Sequence, residues 1–167
     1  IESIGRTKPI VTMIGRVSRQ KDYRFFSNVA LLYPEADFKW IGGGDALGQK
    51  VLSDAGVQVT GWITRKQVLK ELVNSDVYFH TAKWEGFPIS VLEAAYYDVP
   101  ILLRSIGSFT SENLYVVRDE DEAVEQLRLH FNSSEDQHSK AFDNIAAISN
   151  THSSKGLRES LKCLYSH

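Results

Sequence analysis

Residues 10–44 read IVTMIGRVSRQKDYRFFSNVALLYPEADFKWIGGG, and the fold follows from how this stretch changes rhythm. Ile10-Val11-Thr12-Met13-Ile14 is a short β-branched run bounded by Pro9 and Gly15, which predicts a buried strand. From Asp22 to Tyr33 the apolar positions fall at helical spacing (Phe25, Phe26, Val29, Ala30, Leu32), and Pro34 closes the segment. Asp37 to Ile41 returns to strand character, and Gly42, Gly43 and Gly44 turn the chain away. Strand, helix, strand in that order calls for a crossover connection, and therefore for two parallel neighbours.

The alternation continues outward. A helix is predicted near Ala46 to Ala55, a third strand over Val57 to Thr60, and a helix capped by Thr64 running to about Asn74. Asp76 to His80 reads as the fourth strand, followed by a loop and a helix from Pro88 to Tyr97. Pro100 to Leu103 and Leu114 to Val117 read as strands five and six. Glu120 to His167 reads as two or three helices with a polar break near Asn132-Ser133-Ser134. With no internal repeat, the expectation is one α/β domain over residues 1–167: a Rossmann-like, doubly wound parallel sheet of about six strands covered on both faces. In such sheets ligands sit beyond the carboxyl ends of the strands, here residues 15–21, 42–45, 81–87 and 104–112.

Composition narrows the function classes. Hydrophobic residues at 43% and charged residues at 24% are ordinary globular usage, which argues against disorder and membrane spans. No apolar run approaches the roughly 20 residues of a spanning helix. The formal charge of −2 gives no reason to expect a nucleic-acid or anionic-membrane partner, so any basic site must be local. The single cysteine, Cys163, excludes an internal disulfide and a cysteine-based zinc cluster. Its neighbours Leu161, Leu164 and Tyr165 suggest packing rather than a reactive thiol. A reducing cytosol is the natural compartment, and residues 1–8 show no secretory leader.

Three segments at strand ends could carry chemistry. In Gly15 to Lys21 a glycine allows close backbone approach, and Arg16 and Lys21 could meet a diphosphate with a fork donor and a point charge. Both could equally be solvated loop charges. Asp22 would compete with phosphate at the helix start, or simply cap it. The glycine cluster does not make a dinucleotide fingerprint: from Gly42 the last glycine would fall on Leu47, and Gly48 comes one residue late. It reads at least as well as a tight turn.

The third segment runs from Trp84 to Ala95. Pro88 suits a first helical position, and the helix is apolar nearly all round, which predicts burial. Glu93 breaks that pattern and needs either a basic partner or a polar cleft. Glu85 lies eight residues earlier, at the ligand-bearing edge. Glycosidase carboxyl pairs lie about 5–9.5 Å apart, depending on stereochemistry. Eight helical residues rise roughly 12 Å, so the two acids suit separate contacts on one long ligand better.

These residues resemble the donor-binding, C-terminal half of family-4 retaining glycosyltransferases of the two-domain GT-B type. The likeness runs from Val11 to about Leu103, and more weakly to Val117. It rests on Gly15-Arg16 with Lys21, Ile41 to Asp45, Val59-Thr60-Gly61-Trp62-Ile63, Ser75-Asp76-Val77, and Glu85-Gly86-Phe87-Pro88 through Glu93-Ala94-Ala95, with Val99-Pro100. The resemblance implies that Arg16 and Lys21 bind the donor diphosphate and that Glu85 holds the sugar. By the same likeness Glu93 takes the ribose hydroxyls, the turn Gly61-Trp62-Ile63 contacts the base, Thr81, Gly86 and Phe87 shape the pocket, and Gly15, Gly43 and Pro88 belong to the donor-binding set. It implies a UDP- or GDP-linked hexose as donor, a glycan or lipid-linked acceptor, and no metal or other cofactor.

The resemblance further implies polysaccharide or cell-envelope assembly, a cytoplasmic place (peripheral at the inner membrane face in the intact protein), and a first, acceptor-binding domain that this chain lacks. That domain would supply the family's histidine, so the five histidines here, His80 among them, have no claim to the role. Asp22 and Asp98 stand where the family often has glycine, and the role of Glu112 stays open. A non-catalytic nucleotide- or glycan-binding module is the alternative; a sugar-nucleotide epimerase would need motifs that are missing.

Overall fold

A computed structural model describes residues 7–86, 88–109, 114–132 and 140–151. The chain alternates β1 (Ile10–Ile14), α1 (Tyr23–Leu32), β2 (Asp37–Ile41), α2 (Ala46–Asp54), β3 (Gln58–Val59), α3 (Arg65–Val73), β4 (Val77–His80), α4 (Ile89–Tyr96), β5 (Ile101–Arg104) and β6 (Val116–Val117), then α5 (Glu120–Asn132) and α6 (Lys140–Thr151). The six strands form one sheet in the order β3-β2-β1-β4-β5-β6, every pairing parallel. The winding reverses between β1 and β4, as predicted for a doubly wound sheet.

The central strands are buried on both faces, with Val11, Met13, Tyr78 and Phe79 fully inaccessible. Phe26 of α1 packs edge-on against Phe38 (5.4 Å) and Trp40 (5.5 Å) of β2, fixing the helix across the sheet. Helix α1 also meets α2 and α5, while α4 meets α6. Thr64 caps α3 through a reciprocal box with Gln67. The edge strands β3 and β6 are shorter than their apolar runs predict, because an edge strand has a ladder partner on one side only.

Helix α4 departs from expectation. It starts at Ile89 with Pro88 in the cap position, one residue later than predicted. It is also not buried all round. Val91, Glu93, Ala94 and Ala95 face the core, but Ile89 is 49% and Tyr96 43% exposed. Apolar composition around the whole circumference overstates burial where a short helix packs along one side only.

Candidate functional site

Two loops meet at the switch point, residues 15–22 after β1 and 81–86 after β4, and hydrogen bonds stitch them together. The Lys83 N–H donates to the Gln20 carbonyl (2.8 Å), Gln20 Nε2 to the Trp84 carbonyl (3.1 Å), and the Thr81 hydroxyl to the Lys21 carbonyl (2.8 Å). Across this seam Lys21 Nζ reaches both oxygens of Glu85 at 2.6 Å. Gly15 makes room for that reach. Its φ is +150°, and a Cβ there would come 3.1 Å from Lys21 Cε, so the lysine stem folds back along the strand end.

The pair has a third member that the sequence reading set aside. His80, fully buried at the end of β4, places Nε2 3.0 Å from Glu85 Oε2, close enough for attraction but not aligned as a hydrogen bond. Its Nδ1 lies 3.0 Å from the Tyr78 hydroxyl, which is 2.7 Å from Ser90 Oγ. Burial would raise the Glu85 carboxyl, but His80 and Lys21 outweigh it and hold it at about 2. Burial pushes the His80 imidazole below its ordinary value, against the pull of Glu85 and with the Lys21 charge assisting. The cluster is therefore a carboxylate held between a cation and a neutral imidazole.

The depressed imidazole gives a measurable slope. Below about pH 6.5 the unfolded chain protonates this histidine while the folded one resists, so stability falls as pH drops. Burial also lowers His130, so wild type and His80→Gln must be compared. Urea unfolding from pH 7 to 5 should show a loss of up to about 1.4 kcal/mol per pH unit for each resisting histidine. His80→Gln should remove its share, and identical slopes in the two proteins would contradict a neutral buried imidazole. The Glu85 contribution is separate: with the folded carboxyl near 2, it is lost only as pH falls from about 4.5 toward 2.

A second group lies beyond β2. A Cβ on Gly43 would come 2.9 Å from Trp62 Nε1, so the indole lies over that glycine. The Arg16 guanidinium stands 5.9 Å from the centroid of the same ring, at cation–π range. Trp62 is 70% exposed and Ile63 half-buried in the loop between β3 and α3. A third group joins α3 to α4: Arg65, the first residue of α3, forms an ion pair with the inaccessible Glu93. Of the two partners the sequence left open for Glu93, the cation is present.

Some expected pocket residues play other parts. Thr81 is fully buried with its hydroxyl committed to the Lys21 carbonyl, so it clamps the loop and does not offer that proton to a ligand. Gly86 is exposed with open space where a Cβ would stand, and nothing in the structure requires glycine there. Phe87 and Glu112 lie outside the described residues, as does Cys163. Asp22 adopts the left-handed region (φ 52°), caps α1 at Phe25 N, and receives Arg104 at 2.5 Å, with Lys83 at 3.5 Å. It therefore fills the start of α1 with its own carboxylate. Asp98 is likewise left-handed at φ 55°.

His80, Tyr78, Arg65 and Arg104 were missed. For the first two a cue existed: polar tips two apart in an apolar strand lie on one face, at the ligand-bearing end. Arg104 opens the strand-end segment 104–112, but its partner Asp22 is not marked in the sequence, and for Arg65 the sequence offers no cue.

Comparisons with known proteins agree with this architecture. The chain is 34% identical over 92 residues to N,N'-diacetylbacillosaminyl-diphospho-undecaprenol alpha-1,3-N-acetylgalactosaminyltransferase of Campylobacter jejuni, covering 52% of this chain and 24% of the relative. It is 27% identical over 120 residues to UDP-Gal:alpha-D-GlcNAc-diphosphoundecaprenol alpha-1,3-galactosyltransferase of Escherichia coli, covering 64% and 30%. The chain thus spans less than a third of these relatives. Among solved structures it shares the fold of the C-terminal domain of the glycosyl transferase group 1 family protein LpcC from Francisella tularensis, with a TM-score of 0.69, 16% identity and 86% of each chain covered. The family described as glycosyl transferases group 1 matches residues 1–114, more than half of the sequence, and the chain belongs to it.

Proposed function

We propose that this domain binds a UDP-linked hexose as the donor half of a retaining, metal-independent glycosyltransferase acting on a glycan or lipid-linked acceptor. The observation that carries the reading is the Lys21–Glu85 contact at the sheet's switch point, which joins a cation and a carboxylate across the two ligand-bearing loops. Lys21, with Arg16, faces the diphosphate and stabilises the charge that builds on it as the bond from the sugar's anomeric carbon to phosphate breaks. Glu85 accepts hydrogen bonds from the donor sugar. Glu93 shares its carboxylate between Arg65 and the ribose, and Trp62 offers an exposed ring beside the base.

The departing phosphate takes the proton of the acceptor hydroxyl on the face where the new bond forms, so the domain works by positioning and charge stabilisation. UDP is chosen over GDP because one relative's name carries UDP-Gal, and the lipid-linked acceptor because both relatives' names carry diphosphoundecaprenol. An acceptor-binding partner domain belongs to the same reading.

A second reading, a binding module without catalysis, draws on one observation: both glutamates already engage cations. Thermal unfolding with UDP, GDP and ADP tests the first. UDP at 100 times its Kd should add about 2.7 kcal/mol, and silence toward all three at millimolar concentration would end it. Activity of the full-length protein, abolished by Glu85→Ala, would exclude the module.

A further inference from the structure

We infer that His80 is a positioning residue for the donor sugar: it presents an Nε2–H to Glu85 and thereby fixes the carboxylate's orientation, with Tyr78 and Ser90 selecting the tautomer. The inference rests on the reading of Glu85 as the sugar-holding acid.

The hydrogen-bond inventory leads there. Either ring nitrogen of a neutral imidazole can carry the proton, and the partners decide which. Suppose Nδ1 carries it and donates to Tyr78, 3.0 Å away. Nε2 then turns a lone pair toward the Glu85 oxygen 3.0 Å distant, and two acceptors confront each other in a buried place. Suppose instead that the Tyr78 hydroxyl donates to Nδ1. Nε2–H then faces the carboxylate, and since the Tyr78 proton is spent on Nδ1, the 2.7 Å contact between the Tyr78 and Ser90 hydroxyl oxygens must be bridged by the Ser90 proton. Only this order satisfies every group along the chain from Ser90 to Glu85.

The ring cannot swing away, because Phe109 stands edge-on to it at 5.7 Å between centroids. Nε2 has no aligned hydrogen bond among the described residues, and a small turn of the Glu85 carboxylate provides one. With His80 on Oε2 and Lys21 on both oxygens, Oε1 is the atom that keeps an acceptor position among the described residues. That is the atom the geometry leaves for a sugar hydroxyl.

Two measurements decide it. Imidazole nitrogen-15 shifts in this chain should show His80 neutral with the proton on Nε2; a proton on Nδ1 would overturn the inference outright. Calorimetric binding of UDP and of UDP-galactose or UDP-glucose, whichever the wild type prefers, supplies the functional side. His80→Phe keeps the ring and loses the donor, so it should weaken the UDP-sugar on the order of 10-fold while leaving UDP within about 2-fold. His80→Gln, which retains an N–H donor, should recover part of that loss.

Equal weakening of UDP and UDP-sugar would make His80 merely structural, and an unchanged ratio would also overturn the proposal. If His80→Phe does not fold, the glutamine variant and the nitrogen shifts still decide. A wild type that bound neither ligand would sink the donor reading and the positioning role with it. A wild type that binds both, with no selective loss in the variants, would sink only the latter.

Discussion

Gly42→Ala should destabilise the protein by about 3 kcal/mol or more, one of the largest effects expected of a single methyl group here. A Cβ at that position would lie 2.2 Å from the Gly15 carbonyl oxygen, and the residue holds φ at +142°. The neighbour is backbone and cannot recoil. Gly15 N–H donates to the Ile41 carbonyl (3.0 Å), Trp40 Nε1 donates to the Gly15 carbonyl (2.8 Å), and Val17 N–H donates to the Gly43 carbonyl (2.8 Å). The ends of β1 and β2 are thus stapled at the point where the methyl must enter. Urea unfolding compares this variant with Gly56→Ala, where φ is +78° but nothing lies within 4 Å. The control should lose only about 1 kcal/mol, the cost of the left-handed conformation alone. A Gly42→Ala as mild as the control would mean that the strand ends are not in contact. Because Gly15 is the residue displaced, the damage should extend to Lys21, whose stem lies against it.

That contact shows which part of the molecule was legible beforehand. The runs Ile10–Ile14 and Asp37–Ile41 were readable to the residue because buried central strands are apolar on both faces and glycine or proline marks their limits. Their helical neighbours were readable from spacing. Gly42, Gly43 and Gly44 were readable as a turn, but the need for glycine at Gly42 and Gly44 comes from the carbonyls of Gly15 and Val17, which only the parallel pairing of β1 and β2 brings near, and at Gly43 from the Trp62 ring. The site behaves the same way. Topology places the loops after β1 and β4 side by side, so Lys21 and Glu85 could be nominated from 64 residues apart. Which cation takes which acid could not. Arg65 reaches Glu93 and Arg104 reaches Asp22 because of how α3 and β5 are set against their neighbours, and no local pattern encodes that. His80 escaped for a related reason: a histidine inside an apolar strand reads as core until the residue facing it is known.

Lys21→Met should weaken UDP-sugar binding by about 100-fold or more, measured by calorimetry at fixed salt. Part of the loss is direct: a charge-assisted bond to phosphate contributes about 1.5–3 kcal/mol, roughly 10- to 150-fold. The rest comes through Glu85. With Lys21 gone, the carboxylate loses one of the two groups that hold it at about 2 against burial, and its negative charge stands uncompensated where the diphosphate must lie. The two contributions separate in a double-mutant cycle. If Lys21 served only to neutralise Glu85, Glu85→Gln in the Lys21→Met background would restore binding of UDP, which carries no sugar for Glu85 to hold. If Lys21 meets phosphate itself, UDP binding in the double variant stays at least about 10-fold weaker than in Glu85→Gln alone. The second outcome is expected, since Lys21 lies at the carboxyl end of β1 at the switch point of the sheet, where such folds place their ligands, and its ammonium keeps a third N–H beyond the two directed at Glu85.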